Sequence, residues 1–279
     1  MTLVENNRLS IPEGIAVLLR DLIHERTGIF FDPTRLDMML DKLQEPARAR
    51  NCHSLLDYYY LLKYDENGQG EWERVIDALS VQETYFWREM GQIRVLVEVL
   101  IPQWFKNHSE PLRIWSAACA TGEEPYSIAI ALQEAGWADR PIQIVASDAS
   151  AAALAKARQG IFRERSFRSL PGHLREKYFE PVGQTWRISP PIAARVQFRR
   201  ANIVARDEIQ QFAATPFVFC RNVFIYFSPE AIRRALVGFA RLMPARSHLF
   251  VGAAESLVKL TADFDLHEIQ DSFAYVRRE

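Results

Sequence analysis

In the stretch IWSAACATGEEPYS, residues 114–127, an apolar run ends in small residues, a lone glycine and two adjacent carboxylates, Glu123 and Glu124. An apolar helical run follows at once. A third acid, Asp148, stands 26 residues beyond Gly122, shortly after the apolar run IQIVA. Farther along, FVFCRN ends on Cys220, Arg221 and Asn222. In open α/β sheets, ligands gather where strands hand over to the next element, so these three places are where chemistry is to be sought. A phosphate cradle needs several glycines and positive potential at a helix start. Here one glycine remains, and two acids would repel a pyrophosphate.

An acid at the end of a second strand, some 20 residues past a glycine turn, suits the hydroxyls of a ribose. Its alternative duty is to cap the following helix, for which Ser150 is also available. Small residues such as Ala118 let the backbone approach a ligand, and at least one of Glu123 and Glu124 can meet a positive or hydroxyl-bearing group. The competing reading is that both acids complement the helix dipole, worth about 0.3–1 kcal/mol each. S-adenosylmethionine satisfies the first reading: it carries a ribose, an ammonium and a sulfonium, and no phosphate. Cys52, Cys119 and Cys220 fit no zinc spacing, and His53, His108, His173, His248 and His267 form no ligand pattern, so no metal is expected.

The elements that must position these residues fall into two grammars. Residues 1–90 read as helices: GIAVLLRDLIHERTG has an apolar stripe stopped by Gly28, Asp32 and Pro33 open FDPTRLDMMLDKL, Ser54 caps LLDYYYLLKY, and EWERVIDAL supplies a fourth. A long helix around Gln92 to Lys106 leads onward. From residue 112 strands and helices alternate, which favours a parallel sheet with helices on both faces. About residues 172–197, with the alternating QTWRISPPIAARVQFRRANI, read as a small antiparallel β insertion. The expected fold is α/β: a helical domain over 1–90, then a Rossmann-like domain over 91–279 carrying that insertion.

The chain has 279 residues, 48% of them hydrophobic, and a net charge of −1. The charge is unevenly spread. Residues 1–90 hold ten Lys/Arg against sixteen Asp/Glu, while Lys156 to Arg200 holds eleven basic residues and three acidic ones. That stretch is either a solvated surface or a docking face for an acidic partner. No apolar run approaches the roughly 20 residues of a membrane helix, and MTLVENNRLS lacks a signal-peptide core. A reducing cytoplasm, a monomer, no membrane insertion and no nucleic-acid partner are expected.

Several stretches resemble one family, the CheR-type chemoreceptor glutamate O-methyltransferases: IWSAACATGEEPYSIAIAL, ASDASAAALAKARQGIF, ETYFWRE, FVFCRNVFIYF and LFVGAAESL, in family order across about residues 15–276. The resemblance implies methyl transfer from S-adenosylmethionine, with S-adenosylhomocysteine as product, to glutamate side chains on chemoreceptor helices. It implies cofactor contacts at Gln82, Thr84, Arg88, Ala118, Glu124, Asp148, Asn202, Ile203, Asn222 and Val223. Glu124 would take the amino group or a nearby part of the methionine end, Asp148 the ribose, and Asn202 and Ile203 the adenine. Gln82 stands where the family often has Asn, and Trp87 where Phe is usual.

An acceptor glutamate is ionised near neutral pH, with an ordinary pKa of about 4.3, so no general base is required. Arg88 and Tyr226 are the catalytic candidates. Arg88 would orient a carboxylate, the alternative being a surface ion pair with Glu89 or Glu83; Tyr226 would stand near the sulfonium or substrate, the alternative being a core aromatic. Arg35, Lys42, Arg48 and Arg50 are candidates for docking the acidic receptor helices. The short turn in FEPVGQTWRI looks like the family form that is independent of a receptor's C-terminal peptide. A cofactor-binding regulatory module that docks on receptors without turnover is the competing function.

Overall fold

The structure, a computed structural model, describes residues 9–65 and 68–279. The chain divides into two units: one reaches from the amino terminus to Val81 and takes back Tyr226–Ala231, and the other comprises Gln82–Ile225 and Ile232–Glu279. The division falls after Val81 rather than at residue 90, because Phe86 to Gln92 are bonded into the second unit.

The first unit is helical, with helices Ile15–Thr27, Leu36–Ala49, Leu55–Tyr64 and Gln69–Leu79. Their apolar stripes meet at Leu19, Ile23, Met39, Leu43, Leu55 and Tyr58, all fully buried. Gly28 ends the first helix in the left-handed region, with its N–H on the His24 carbonyl. Asp32 accepts the Thr34 N–H and opens a 3-10 turn, Pro33–Arg35, before the second helix. Ser54 and Asp57 form a reciprocal capping box at the third; such a cap contributes about 1 kcal/mol. The carboxylate of Glu71 is buried, takes a hydrogen bond from Tyr58 Oη at 2.7 Å and lies near Arg50 and Arg74.

The second unit is built on a seven-stranded sheet. Its strands are β1 (Leu112–Ala117), β2 (Ile142–Asp148), β6 (Val196–Arg200), β7 (Phe217–Phe219), β8 (His248–Phe250), β9 (Phe264–Ile269) and β10 (Ser272–Arg277). The order is β6-β2-β1-β7-β8-β10-β9. The first five run parallel, and β10 pairs antiparallel with β8 and β9. β1 lies inside the sheet and is buried at every position except Arg113, as a parallel strand covered on both faces requires. The connecting helix spans Met90–Asn107 through a π-helical turn at Leu96–Leu100.

The insertion differs from the expectation at both ends. Its three-stranded antiparallel sheet comprises β3 (Ile161–Arg163), β5 (Thr185–Ile188) and β4 (Phe179–Val182), in that order. It therefore starts before residue 172. Val196–Arg200 leaves it and runs parallel to β2, with Phe198 opposite Ala146. Alternation in RVQFRR marks a half-buried strand but not which sheet receives it. Burial of Val196 and Phe198, the latter 5.6 Å from the Tyr126 ring, decides the matter. Phe86 is fully buried among the rings of Phe162, Phe167 and Phe179 at 4.7–5.3 Å, which fixes the segment from Gln82 onto the insertion.

Candidate active site

The chain leaves β1 through a loop in which every second residue is left-handed: Ala118 (φ 55°), Ala120 (φ 47°) and Gly122 (φ 97°). For alanine that conformation costs roughly 1–2 kcal/mol, so something must hold it. Asp148, the last residue of β2, does so. Its Oδ2 accepts the Ala120 N–H at 2.8 Å and its Oδ1 accepts the Ser150 N–H at 2.8 Å. Ser150, not Asp148, caps the next helix, with its hydroxyl on the Ala153 N–H at 3.0 Å. Gly122 suits its place because φ 97° strains any side chain, and a Cβ there would also crowd Ala157 Cβ at 3.0 Å.

The two adjacent acids separate. Glu123 is 3% exposed, accepts from the hydroxyls of Thr121 (2.6 Å) and Ser166 (3.1 Å), and is pushed up in pKa by burial. It is an internal tie. Glu124 accepts from Ser116 Oγ at 2.6 Å and from Arg221 Nε at 2.7 Å. It therefore already meets one positive group and one hydroxyl from within the chain. Two of about four lone-pair positions of its carboxylate are taken, which leaves capacity for a further donor.

Arg221 was named only as a strand-end residue and Glu89 only as an alternative partner of Arg88, while Glu255 was not named. The Arg221 side chain is 2% exposed. It reaches Glu124, the Glu89 carbonyl at 3.1 Å and Gln92 Oε1 at 3.4 Å. Asn222 follows at φ 59°. Glu255 accepts the N–H groups of Asn222 (2.8 Å), Phe224 (2.7 Å), Ile225 (3.4 Å) and Gly252 (2.6 Å). A Cβ on residue 252 would lie 2.3 Å from Asn222 Nδ2, so glycine is required there. The only advance signals were adjacency: Arg221 precedes Asn222, Glu89 follows Arg88, and Glu255 lies in GAAES.

The segment 82–89 is laid against this edge. Trp87 (φ 67°) and Glu89 (φ 50°), both left-handed, flank Arg88. The Phe86 N–H bonds the Ser166 carbonyl at 2.8 Å, and the Trp87 N–H bonds Ser127 Oγ at 3.1 Å. Gln82 Oε1 accepts from Lys156 Nζ at 3.1 Å, and Thr84 is half-buried. Arg88 donates to the Glu83 carbonyl at 3.1 Å, with its Nε 3.9 Å from Glu89 Oε1. These contacts use only part of the guanidinium, which has five N–H donors.

Asn202 and Ile203 are buried just past β6, where Asn202 Oδ1 accepts the Val204 N–H at 3.2 Å and its own N–H donates to Glu208 at 2.9 Å. Val223 is half-buried beside Asn222. Tyr226 belongs to the first unit, its carbonyl accepting the Phe30 N–H at 2.9 Å. The four basic docking candidates also lie in the first unit. Arg35 ends the 3-10 turn before the second helix, 3.5 Å from Asp32, while Lys42 and Arg48 lie within that helix. Arg50 faces Asp65 at 3.7 Å and the buried Glu71 at 3.6 Å. Cys119 and Cys220 are buried thiols whose pKa values burial drives up, which removes nucleophilic roles. No cluster of three His, Cys, Asp or Glu residues suited to a metal exists among the described residues. Among the same residues, no helix is long and apolar enough to cross a membrane.

Residues 82–273 match the family model described as CheR methyltransferase, SAM binding domain, and residues 17–80 match the one described as CheR methyltransferase, all-alpha domain. Chemotaxis protein methyltransferase 2 of Vibrio cholerae is 33% identical over 97% of this chain and 95% of its own length. Chemotaxis protein methyltransferase 1 of Pseudomonas aeruginosa is 30% identical over 92% and 96%. The probable biofilm formation methyltransferase WspC of Pseudomonas putida is 30% identical over 92% of this chain and 60% of its own.

Proposed function

We propose, from the premise that this chain belongs to the CheR methyltransferase family, that the carboxyl edge of its seven-stranded sheet holds S-adenosylmethionine and presents it to a receptor glutamate. The chain is a protein-glutamate O-methyltransferase that acts on chemoreceptors with S-adenosylmethionine as donor. The donor set fits that molecule. Two carboxylates and two carboxamides, with small left-handed residues between them, offer acceptors to hydroxyls and an ammonium. A phosphate has no nest of N–H groups there, because Asp148 and Glu255 already occupy the N–H groups that would form one. The observation that carries the reading is Asp148, fixed from two sides at the end of β2.

In this reading Asp148 receives the ribose, Glu124 the ammonium end, and Asn202 with Ile203 the adenine. Gln82, Thr84, Ala118, Asn222 and Val223 complete the wall. When bound, the cofactor supplies an electrophilic methyl group on a sulfonium. The chain's own contribution is alignment and exclusion of water, since an anion meeting a cation loses charge and gains from a drier setting. Arg88 orients a carboxylate through a two-pronged hydrogen bond, and Tyr226 is the second catalytic candidate. Arg35 and Lys42 steer the acidic helices of the receptor, with Arg48 and Arg50 contributing charge nearby. The two-residue turn between β4 and β5 supports independence from a receptor C-terminal peptide, and a cytoplasmic monomer is the form that acts.

Titration calorimetry with S-adenosylhomocysteine tests the placement. Asp148→Asn should weaken binding by about tenfold to a hundredfold, in line with loss of a hydrogen bond to a charged group. Unchanged binding in that variant ends the placement. Labelled S-adenosylmethionine with receptor membranes should give base-labile label on the receptor; docking without label would turn the reading to a regulatory module.

A further inference from the structure

We infer that Glu89 is a positioning residue for methyl transfer, acting through Asn222: its carboxylate fixes which end of the Asn222 carboxamide is offered to the ligand. The inference rests on the cofactor placement proposed above.

Glu89 sits at the N-cap of the Met90–Val95 helix with φ 50° and makes no cap bond with its side chain. Glutamate is a poor choice for either duty. Caps favour Ser, Thr, Asp and Asn, and left-handed non-glycine positions favour Asn, Asp and His. A residue kept against both preferences is being used elsewhere. Glu89 Oε1 accepts from Asn222 Nδ2 at 3.2 Å, and Oε2 accepts the Ala253 N–H at 3.1 Å. Its carbonyl accepts from Arg221 Nη1 at 3.1 Å, and Arg221 in turn holds Glu124. One residue thus ties the segment bearing Arg88 to Asn222, to the loop after β8 and to the acid at the start of the Glu123–Glu134 helix.

The consequence for Asn222 follows from its chemistry. A carboxamide has one end that donates and one that accepts. Glu89, a pure acceptor, takes the donating end. The accepting Oδ1 is left as the end available to a ligand, and an acceptor suits an ammonium or a hydroxyl. Turning the amide over would set Oδ1 against a carboxylate oxygen and lose the bond. The backbone of Asn222 is held as well, since Glu255 accepts its N–H at 2.8 Å.

A reciprocal exchange tests this. Glu89→Gln keeps shape; its oxygen still serves Ala253, but its NH₂ now faces the Asn222 NH₂. Asn222→Asp alone sets two carboxylates face to face. Each single variant should bind S-adenosylhomocysteine about tenfold more weakly by calorimetry. The double variant Glu89→Gln/Asn222→Asp restores a donor–acceptor pair and still leaves an acceptor for the ligand, so its affinity should recover to within a few-fold of the unsubstituted protein. A merely structural role would give losses that add. A double variant no better than either single one, or full affinity in Glu89→Gln, would overturn the inference. Asp148→Asn is measured alongside. If it weakens binding while the exchange shows no rescue, only the role of Glu89 falls; if it leaves binding intact, the cofactor placement and the role of Glu89 fall together.

Discussion

Two loops at the carboxyl edge of the large sheet solve one problem with the same device and to different ends. The loop after β1 and the loop after β7 both contain left-handed non-glycine residues, Ala118 and Ala120 in one and Asn222 in the other. Each is held by a carboxylate that accepts backbone N–H groups. Asp148 sends one oxygen to Ala120 and the other to Ser150. Glu255 takes four N–H groups, from Gly252, Asn222, Phe224 and Ile225, which fills the roughly four lone-pair sites of a carboxylate. The first acid braces a loop while remaining a candidate ligand; the second is committed wholly to the main chain. An acid near a strand end is thus a ligand or a brace according to its load.

The sharpest break in that comparison is Glu255→Ala. It strands several buried N–H groups at about 1–3 kcal/mol each, so chemical denaturation should show a loss of at least about 3 kcal/mol, with ligand affinity falling only in step. Asp148→Asn should do the opposite: a stability change near 1 kcal/mol, but the affinity loss described above. Equal behaviour of the two variants would erase the distinction.

His248, on the strand that feeds the Glu255 loop, gives a pH test. Burial lowers its pKa from 6.5 to about 4. The folded form therefore refuses a proton that the unfolded chain binds below 6.5. The associated stability is fully present above pH 6.5 and drains away as pH falls toward 4, by an amount on the order of 1–3 kcal/mol. His248→Phe, packed between Phe217 and Phe250, should flatten melting temperature across that window; an unaltered slope would assign acid sensitivity elsewhere. The smallest effect is a baseline in the first unit: Ser54→Ala removes the capping box and should cost about 1 kcal/mol by denaturation, with cofactor affinity unmoved.

What the sequence revealed, and what it hid, follows from the same contrast. The sheet announced itself because buried parallel strands such as Leu112–Ala117 are continuous apolar runs. Asp148 was legible because it ends such a run. Arg221 was visible as a residue but not as the partner of Glu124, since no periodicity links positions so far apart. Glu255 was silent because it serves backbone N–H groups, which every residue but proline carries, and Glu89 was read only as a partner for Arg88, since its bond to Asn222 spans more than a hundred residues. The edges of the insertion were misplaced because β3 has three residues, too few to display a period of two.

The return of Tyr226–Ala231 to the first unit bears on how the protein is made. Ile29 pairs with Phe227, the Phe30 N–H meets the Tyr226 carbonyl, and His24 meets Ser228 at 2.6 Å. On the ribosome, where chains grow at about 5–20 residues per second, the helices before Val81 emerge on the order of ten seconds before that strap exists. Until then the end of the first helix and the two residues after Gly28 wait for the strap, and a chaperone or a neighbouring nascent chain has that long to find them.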